Sequence, residues 1–317
     1  MKYPAPLKPR DQVVLVAPSS PVPEKNLQAA VESIEYMGLV PMVMPSCRMR
    51  HGYMAGPDSQ RAQDINTAFV REDIRGIFCL RGGYGTTRIL PLIDFDMIAN
   101  NPKVFVGYSD VTALHTAITQ RCDFVTYHGP MPNTDYRELD QFTLDSLKKC
   151  LFSPEKLEKL ENPADETMKI LHSGNTHGIL TGGNISLIMS TLGSPYEIDT
   201  KGKILFLEDV GERPYRLDKS LTAIALAGKF RDCSGIILGT FAECEEPAPE
   251  TVPPNTVIAK DYLSLEQIIE EVILPWRKPT LFNLRAGHIY PQSTLPLGSE
   301  ISLNLDSIPM ISISKMI

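Results

Sequence analysis

VFVGYSDVTALHTAI, residues 104–118, begins as an unbroken apolar run and turns, across Gly107-Tyr108-Ser109-Asp110, into a segment with helical spacing. A strand apolar on both faces that feeds straight into a helix is a unit of a parallel sheet covered on both sides. The corner has two readings. Ser109 can cap the helix, its side-chain oxygen taking a free N–H of the first turn. Alternatively its hydroxyl, lifted off the sheet edge beside unpaired N–H groups and the positive end of the helix, can act as a nucleophile with the Asp110 N–H as oxyanion donor. Gly-x-Ser-x-Val lacks the second glycine of the hydrolase elbow Gly-x-Ser-x-Gly. Taken alone, the corner reads as a cap.

The same strand-then-helix unit recurs on both sides of it. QVVLVA (12–17) ends in the breaker cluster Pro18-Ser19-Ser20-Pro21, and the next segment spaces Leu27, Ala30, Val31, Ile34 and Met37 along one helical face, with Gly38 as its stop. VPMVM (40–44), a helix over about 58–71 and GIFCL (76–80) follow. This predicts a doubly wound, flavodoxin- or Rossmann-like parallel sheet, with ligands at the carboxyl ends of the strands, where Gly82-Gly83-Tyr84-Gly85 and Ser109 both fall. Residues 152–177 are polar and without apolar period, which divides the chain into a first domain (1–160), a linker (161–177) and a second α/β domain (178–317). The second half offers ILFLED (204–209), a helix over 214–230, GIILGTF (235–241), a helix near 264–273 and strand-like segments at 280–284, 301–305 and 310–314. Its end is expected to be partly barrel-like. The proline- and acid-rich AECEEPAPETVPPNT (242–256) reads as a solvated surface loop.

At 317 residues the chain can build two cores, and 43% hydrophobic against 22% charged residues is the balance of a globular protein. A net charge of −7 gives no basic footprint for nucleic acid. Neither a secretory signal nor an apolar run of about 20 residues is present. The expected location is therefore the cytoplasm, with no membrane contact. The six cysteines (47, 79, 122, 150, 233 and 244) form no CxxC pair or zinc-site cluster, so they read as free thiols and no metal is expected.

A nucleophilic serine needs a base and an orienting acid. His288 lies in the irregular stretch AGHIYPQSTLPLG, and His128, in the turn YHGPMP, is its rival. His51 and His172 sit in polar surroundings, and His115 lies inside the helix after Ser109. Glu208 and Asp209 end the buried strand ILFLED, with Glu212 on the next turn. The paired glycines of Arg81-Gly82-Gly83-Tyr84-Gly85 allow close approach of backbone N–H groups to a ligand, though they match no nucleotide motif. Arg81, Arg213 and Arg216 could meet a substrate carboxylate, or serve as surface ion pairs. Asn184, after Gly182-Gly183, could bind a substrate amide or cap the following helix.

RGGYGTTRILPLIDFDMIANNPKVFVGYSDVTALHTAI (81–118), YHGPM (127–131), GGNISLI (182–188), ILFLEDVGERPYRLD (204–218) and GHIYPQSTLPLG (287–298) together resemble the LD-carboxypeptidase family of serine peptidases. The blocks run in order over nearly the whole chain. The resemblance implies two α/β domains with the site between them, a triad of Ser109, His288 and Glu208, and oxyanion donors at the N–H groups of Gly83 and Asp110. It also implies no cofactor and a homodimer; the residues expected to contact the substrate are Arg81, Tyr84, Asn184 and Arg213. The implied reaction removes the terminal D-alanine of murein tetrapeptide in cell-wall recycling. Ile289 stands where the family pattern has glycine. Microcin C self-immunity peptidases, which cleave peptidyl or aminoacyl nucleotides, share the resemblance; they would want an aromatic to stack on a base, and the single Trp276 follows ILP near a helix end. An anion-binding module without chemistry is the remaining reading, and it leaves Ser109, Glu208 and His288 idle.

Overall fold

A computed structural model describes residues 1–246 and 262–314. The first sheet is built from β1 (Gln12–Val16), β2 (Val40–Val43), β3 (Gly76–Cys79), β4 (Val104–Gly107) and β5 (Thr126–His128), all parallel. The second holds β6 (Lys159–Leu160), β7 (Lys169–His172), β8 (Asn175–Asn184), β9 (Ile204–Val210), β10 (Gly235–Ala242), β11 (Thr280–Phe282), β13 (Glu300–Asn304) and β14 (Met310–Ile313). Between β11 and β13 the chain crosses back: β12 (Leu295–Leu297) joins the first sheet antiparallel to β5, pairing Leu295 with His128. That crossing brings the 283–294 loop of the second half over the ends of the first sheet.

The first sheet runs β12-β5-β4-β3-β1-β2. Its parallel part is therefore wound out from β1 in both directions, and the crevice where the order reverses, between β1 and β3, is where such sheets bind ligands. Apolar clusters cover both faces, one with Val14, Ile77 and Phe105 and the other with Val13, Leu15, Phe78 and Val106. This alternation of neighbouring residues between two buried faces is why VFVG and VVLV carry no polar position.

In the second sheet β8, β9, β10 and β11 are parallel, whereas β7, β13, β14 and β6 are added antiparallel. The part expected to be barrel-like is the extension β8-β13-β14-β6, in a strand order that runs open from β6 to β7. The segment expected to be a linker contributes the whole of β7 and the start of β8. β7 pairs on one side only, and its four residues are too few for a periodic signal. The helix expected over 214–230 is two, Pro214–Leu226 and Lys229–Asp232, separated at Gly228 with φ 77°. Most of the AECEEPAPETVPPNT loop lies outside the described residues. No described helix is long and apolar enough to cross a membrane.

His115, inside the helix Thr112–Cys122, locks the end of β4. Its Nε2–H donates to the Gly107 carbonyl at 2.8 Å, and its Nδ1 accepts from the Thr126 hydroxyl at 2.8 Å. Burial pushes its pKa down to about 4. Between pH 6.5 and about 4 the unfolded chain therefore binds a proton at this position that the folded chain refuses. The stabilisation is complete above 6.5 and is lost as pH falls through the folded value, with a slope of up to about 1.4 kcal/mol per pH unit. Urea unfolding of wild type and His115→Gln at several pH values is expected to show their stability difference shrinking across that window. Buried carboxyls common to both proteins cancel in the comparison.

Candidate active site

At the end of β4 the chain turns through Ser109 in the left-handed region, φ 64°, and enters a short 3₁₀ turn before the helix. A non-glycine residue held there costs about 1–2 kcal/mol. Ser109 caps nothing: the 3₁₀ turn and the helix after it lack a side-chain cap. Its neighbour, at the exit of the adjacent strand β3, is the RGGYG loop. A Cβ placed on Gly82 would lie 2.8 Å from the Ser109 Cβ and 2.9 Å from its Oγ, so only glycine admits the serine here. Gly83, with φ 117°, is exposed and packs its Cα against Ser20. Among the described residues the N–H groups of Gly83 and Asp110 find no acceptor.

The second sheet delivers an acid to the same place. On β9, Leu205 and Leu207 face the helices, while Ile204 and Phe206 face the side closed by Leu284, Ala286 and Leu295. Glu208 continues the latter face, fully buried. Its Oε2 accepts from the Nδ1–H of His288 at 2.7 Å. Burial raises its pKa above the usual carboxylate value, opposed by the His288 hydrogen bond. Gly287, with φ 121°, makes the pairing possible, since a Cβ there would sit 2.7 Å from Glu208 Oε2. The loop is held in shape by Arg285, which donates to the Tyr290 carbonyl at 2.8 Å, and by the Gln292 amide on the Gly287 carbonyl. Half-buried Ile289 follows in this loop.

The two halves meet through aromatic rings and a tight backbone contact. The His288 ring lies 4.8 Å from that of Tyr108, the residue before Ser109. The other neighbour of Tyr108 is His128, whose ring lies 5.8 Å away and packs edge-on at 5.2 Å against Phe206. His128 is fully buried, and burial pushes its pKa well below the ordinary imidazole value, so it remains neutral. It is wall, and His288 is the histidine paired with an acid. Gly183 lets β8 approach the helix after Ser109, where the Asn184 N–H donates to Thr112 Oγ1 at 3.1 Å.

Asn184 is a cap, its oxygen accepting from the Leu187 N–H and its amide donating to Asp209 at 2.9 Å. Both ends are engaged within the fold, as the capping reading requires. Asp209 also accepts from the Ser186 N–H and hydroxyl. Arg81 braces its own loop through long bonds to the Gly82 and Pro21 carbonyls. Tyr84 is exposed and lies against Tyr53, ring centroids 5.7 Å apart. Arg213 is half-buried just beyond β9, and Arg216 pairs with Glu212 at 3.7 Å. Trp276 sends its N–H to the Val272 carbonyl and packs, partly buried, on the core of the second half. A groove of about 720 Å³ opens elsewhere, between Pro9, Met37, Phe142 and Lys149, and none of the serine, acid or base lines it.

Comparison with known proteins fits this arrangement. The profile of the LD-carboxypeptidase N-terminal domain matches residues 13–129, and that of the LD-carboxypeptidase C-terminal domain matches residues 177–303. A protein of Bacillus subtilis named probable murein peptide carboxypeptidase is 39% identical over 93% of this chain and 89% of its own length. The chain belongs to the LD-carboxypeptidase family. Among solved structures of similar fold, a muramoyltetrapeptide carboxypeptidase from Oxalobacter formigenes superposes with TM-score 0.78, at 26% identity over 96% of this chain and 98% of the other. MccF in complex with glutamyl sulfamoyl guanosine superposes with TM-score 0.86 at 23% identity, each chain covered to 99%, a likeness of fold. The LD-carboxypeptidase family makes this chain a peptidase of the carboxypeptidase class. Sequence reading missed Tyr108 as the ring beneath His288, and Gly287 and Gln292 as the shapers of its loop; the glycine directly before the histidine was the available signal.

Proposed function

We propose that this LD-carboxypeptidase is a serine peptidase that hydrolyses the amide between an L-centre and a C-terminal D-amino acid, with the terminal D-alanine of a murein tetrapeptide as its substrate. The observation that carries the proposal is the hydrogen bond of His288 to the buried Glu208, seated through Tyr108 beside the strained Ser109 corner. With Nδ1 committed to Glu208, His288 has Nε2 for the proton of Ser109. The serine oxygen attacks the carbonyl carbon, and the oxyanion falls to the Gly83 and Asp110 N–H groups. Collapse breaks the C–N bond as His288 returns the proton to the leaving amine, and water then hydrolyses the acyl ester by the same relay. Arg213, whose guanidinium makes no hydrogen bond or ion pair to the described residues, is the cation for the substrate's terminal carboxylate.

The nucleophile thus comes from residues 1–160 and the acid and base from 178–317. The family resemblance further supports a homodimer. Six free, buried thiols suit a reducing cytoplasm.

Incubating the protein with muropeptides of different stem length and third residue, read by mass spectrometry, tests the proposal. Loss of one D-alanine from tetrapeptide, with pentapeptide and tripeptide untouched, is expected. Cleavage of an aminoacyl sulfamoyl nucleoside with no action on any muropeptide would replace this reading with the MccF-like one.

A further inference from the structure

Arg61, on the helix Asp58–Val70, takes no part in the chemistry above, yet it is fully buried beneath the site. Removing a guanidinium from water is costly, and an apolar side chain of similar volume would stabilise the fold at least as well. Here the cost is only partly offset, because Arg61 Nε has no partner. Its position explains what it supplies. Nη1 donates to two carbonyls, that of Pro18 just after β1 and that of Gly85 in the RGGYG loop after β3, the latter at 2.8 Å. Nη2 is held by Asp58, which is in turn held by Arg88 at 2.8 Å. The guanidinium therefore joins the two strand exits that border the crevice of the first sheet.

The other flank of the same loop is tied to the exit of β4. Asp110 is fully buried; its Oδ2 accepts from the Thr86 N–H at 3.0 Å, and its carbonyl accepts from the Thr86 hydroxyl. Ser20 adds two weaker ties, its N–H to the Gly82 carbonyl at 3.4 Å and its hydroxyl accepting from the Tyr84 N–H at 3.3 Å. Gly83 sits between these attachments, and the Asp110 N–H belongs to one of them. The distance between the two N–H groups is thus set by side chains that touch neither the oxyanion nor the nucleophile.

We propose that Arg61 and Asp110 are positioning residues, a clamp that fixes the RGGYG loop against the Ser109 corner and so sets the spacing of the Gly83 and Asp110 N–H donors. The inference rests on the oxyanion role assigned to those donors. A misplaced donor acts in the transition state and not in ground-state binding, so the clamp is read in kcat and in the affinity for a tetrahedral adduct.

The test uses muramoyl tetrapeptide as substrate and a peptide boronate that forms a tetrahedral adduct with an active-site serine. Asp110→Ala and Arg61→Met are each expected to lower kcat by about 10²-fold and to raise the boronate Kd in parallel. Substrate Kd, measured in a Ser109→Ala background, should move by less than about 3-fold. Asp110→Asn keeps an acceptor for Thr86 and should recover kcat to within about tenfold of wild type. Thr86→Val removes one tie with little change of volume and keeps the test open if Arg61→Met does not fold. Folded Asp110→Ala and Thr86→Val proteins with wild-type kcat and boronate affinity would overturn the clamp while leaving the serine mechanism standing. Failure of the wild-type protein to bind the boronate would overturn the oxyanion reading, and the clamp with it.

Discussion

Ser109→Ala is expected to lower kcat on muramoyl tetrapeptide by about 10⁴- to 10⁶-fold, with substrate affinity little changed, because the oxyanion donors and the binding groups remain when the nucleophile is removed. Single-turnover assays should show that no acyl-enzyme forms. Ser109→Gly separates chemistry from strain at the same position. Its activity should be equally low, yet it should be more stable than Ser109→Ala by about 1 kcal/mol, since glycine adopts the left-handed conformation that Ser109 holds at φ 64° without a Cβ penalty. Urea unfolding reads that difference. Wild-type turnover in Ser109→Ala would end the serine mechanism.

The second large effect is expected at the acid. Glu208→Gln keeps the shape of the side chain and loses the charge that orients His288 and stabilises its protonated form, so kcat should fall by about 10⁴-fold. Asp209→Asn should stay within about tenfold of wild type in kcat and show its effect in stability. Asp209 spends its two oxygens on Asn184, Ser186 and the Val210 N–H, none of which reaches the His288 ring. The reverse ranking, measured as kcat on the same substrate, would move the acid role to Asp209. Glu208 also exacts a stability cost. Its pKa is raised in the fold by burial, so its contribution to stability falls as pH rises above the ordinary carboxylate value.

Much of this site was legible in the chain because strand ends carry local signals. An apolar run followed by glycine and then by a helical pattern marks a carboxyl end of a parallel sheet, and Ser109, the RGGYG loop and Glu208 all stand at such ends. The choice between capping and another duty for Ser109 was not legible, because it depends on a backbone angle and on a loop some 25 residues earlier that presses Gly82 against it. Asn184 went the opposite way. Its sequence context allowed both a cap and a substrate contact, and the structure engages both ends of its side chain within the protein. β7 was hidden for a further reason: a four-residue edge strand, paired on one side, leaves too little pattern to distinguish it from a polar connector.

Local periodicity and turn chemistry by themselves determined that this chain alternates strands and helices and where its strands end, because these properties are set by neighbours within a few residues, whereas the choice of Ser109, Glu208 and His288 among the candidates came from the family resemblance. Only the tertiary structure decided that Arg61 lies beneath the RGGYG loop, that Tyr108 carries His288, and that β12 crosses to the first sheet and brings the His288 loop with it. Those contacts join residues far apart in sequence, and their energy comes from burial and hydrogen bonds that exist once both sheets have formed.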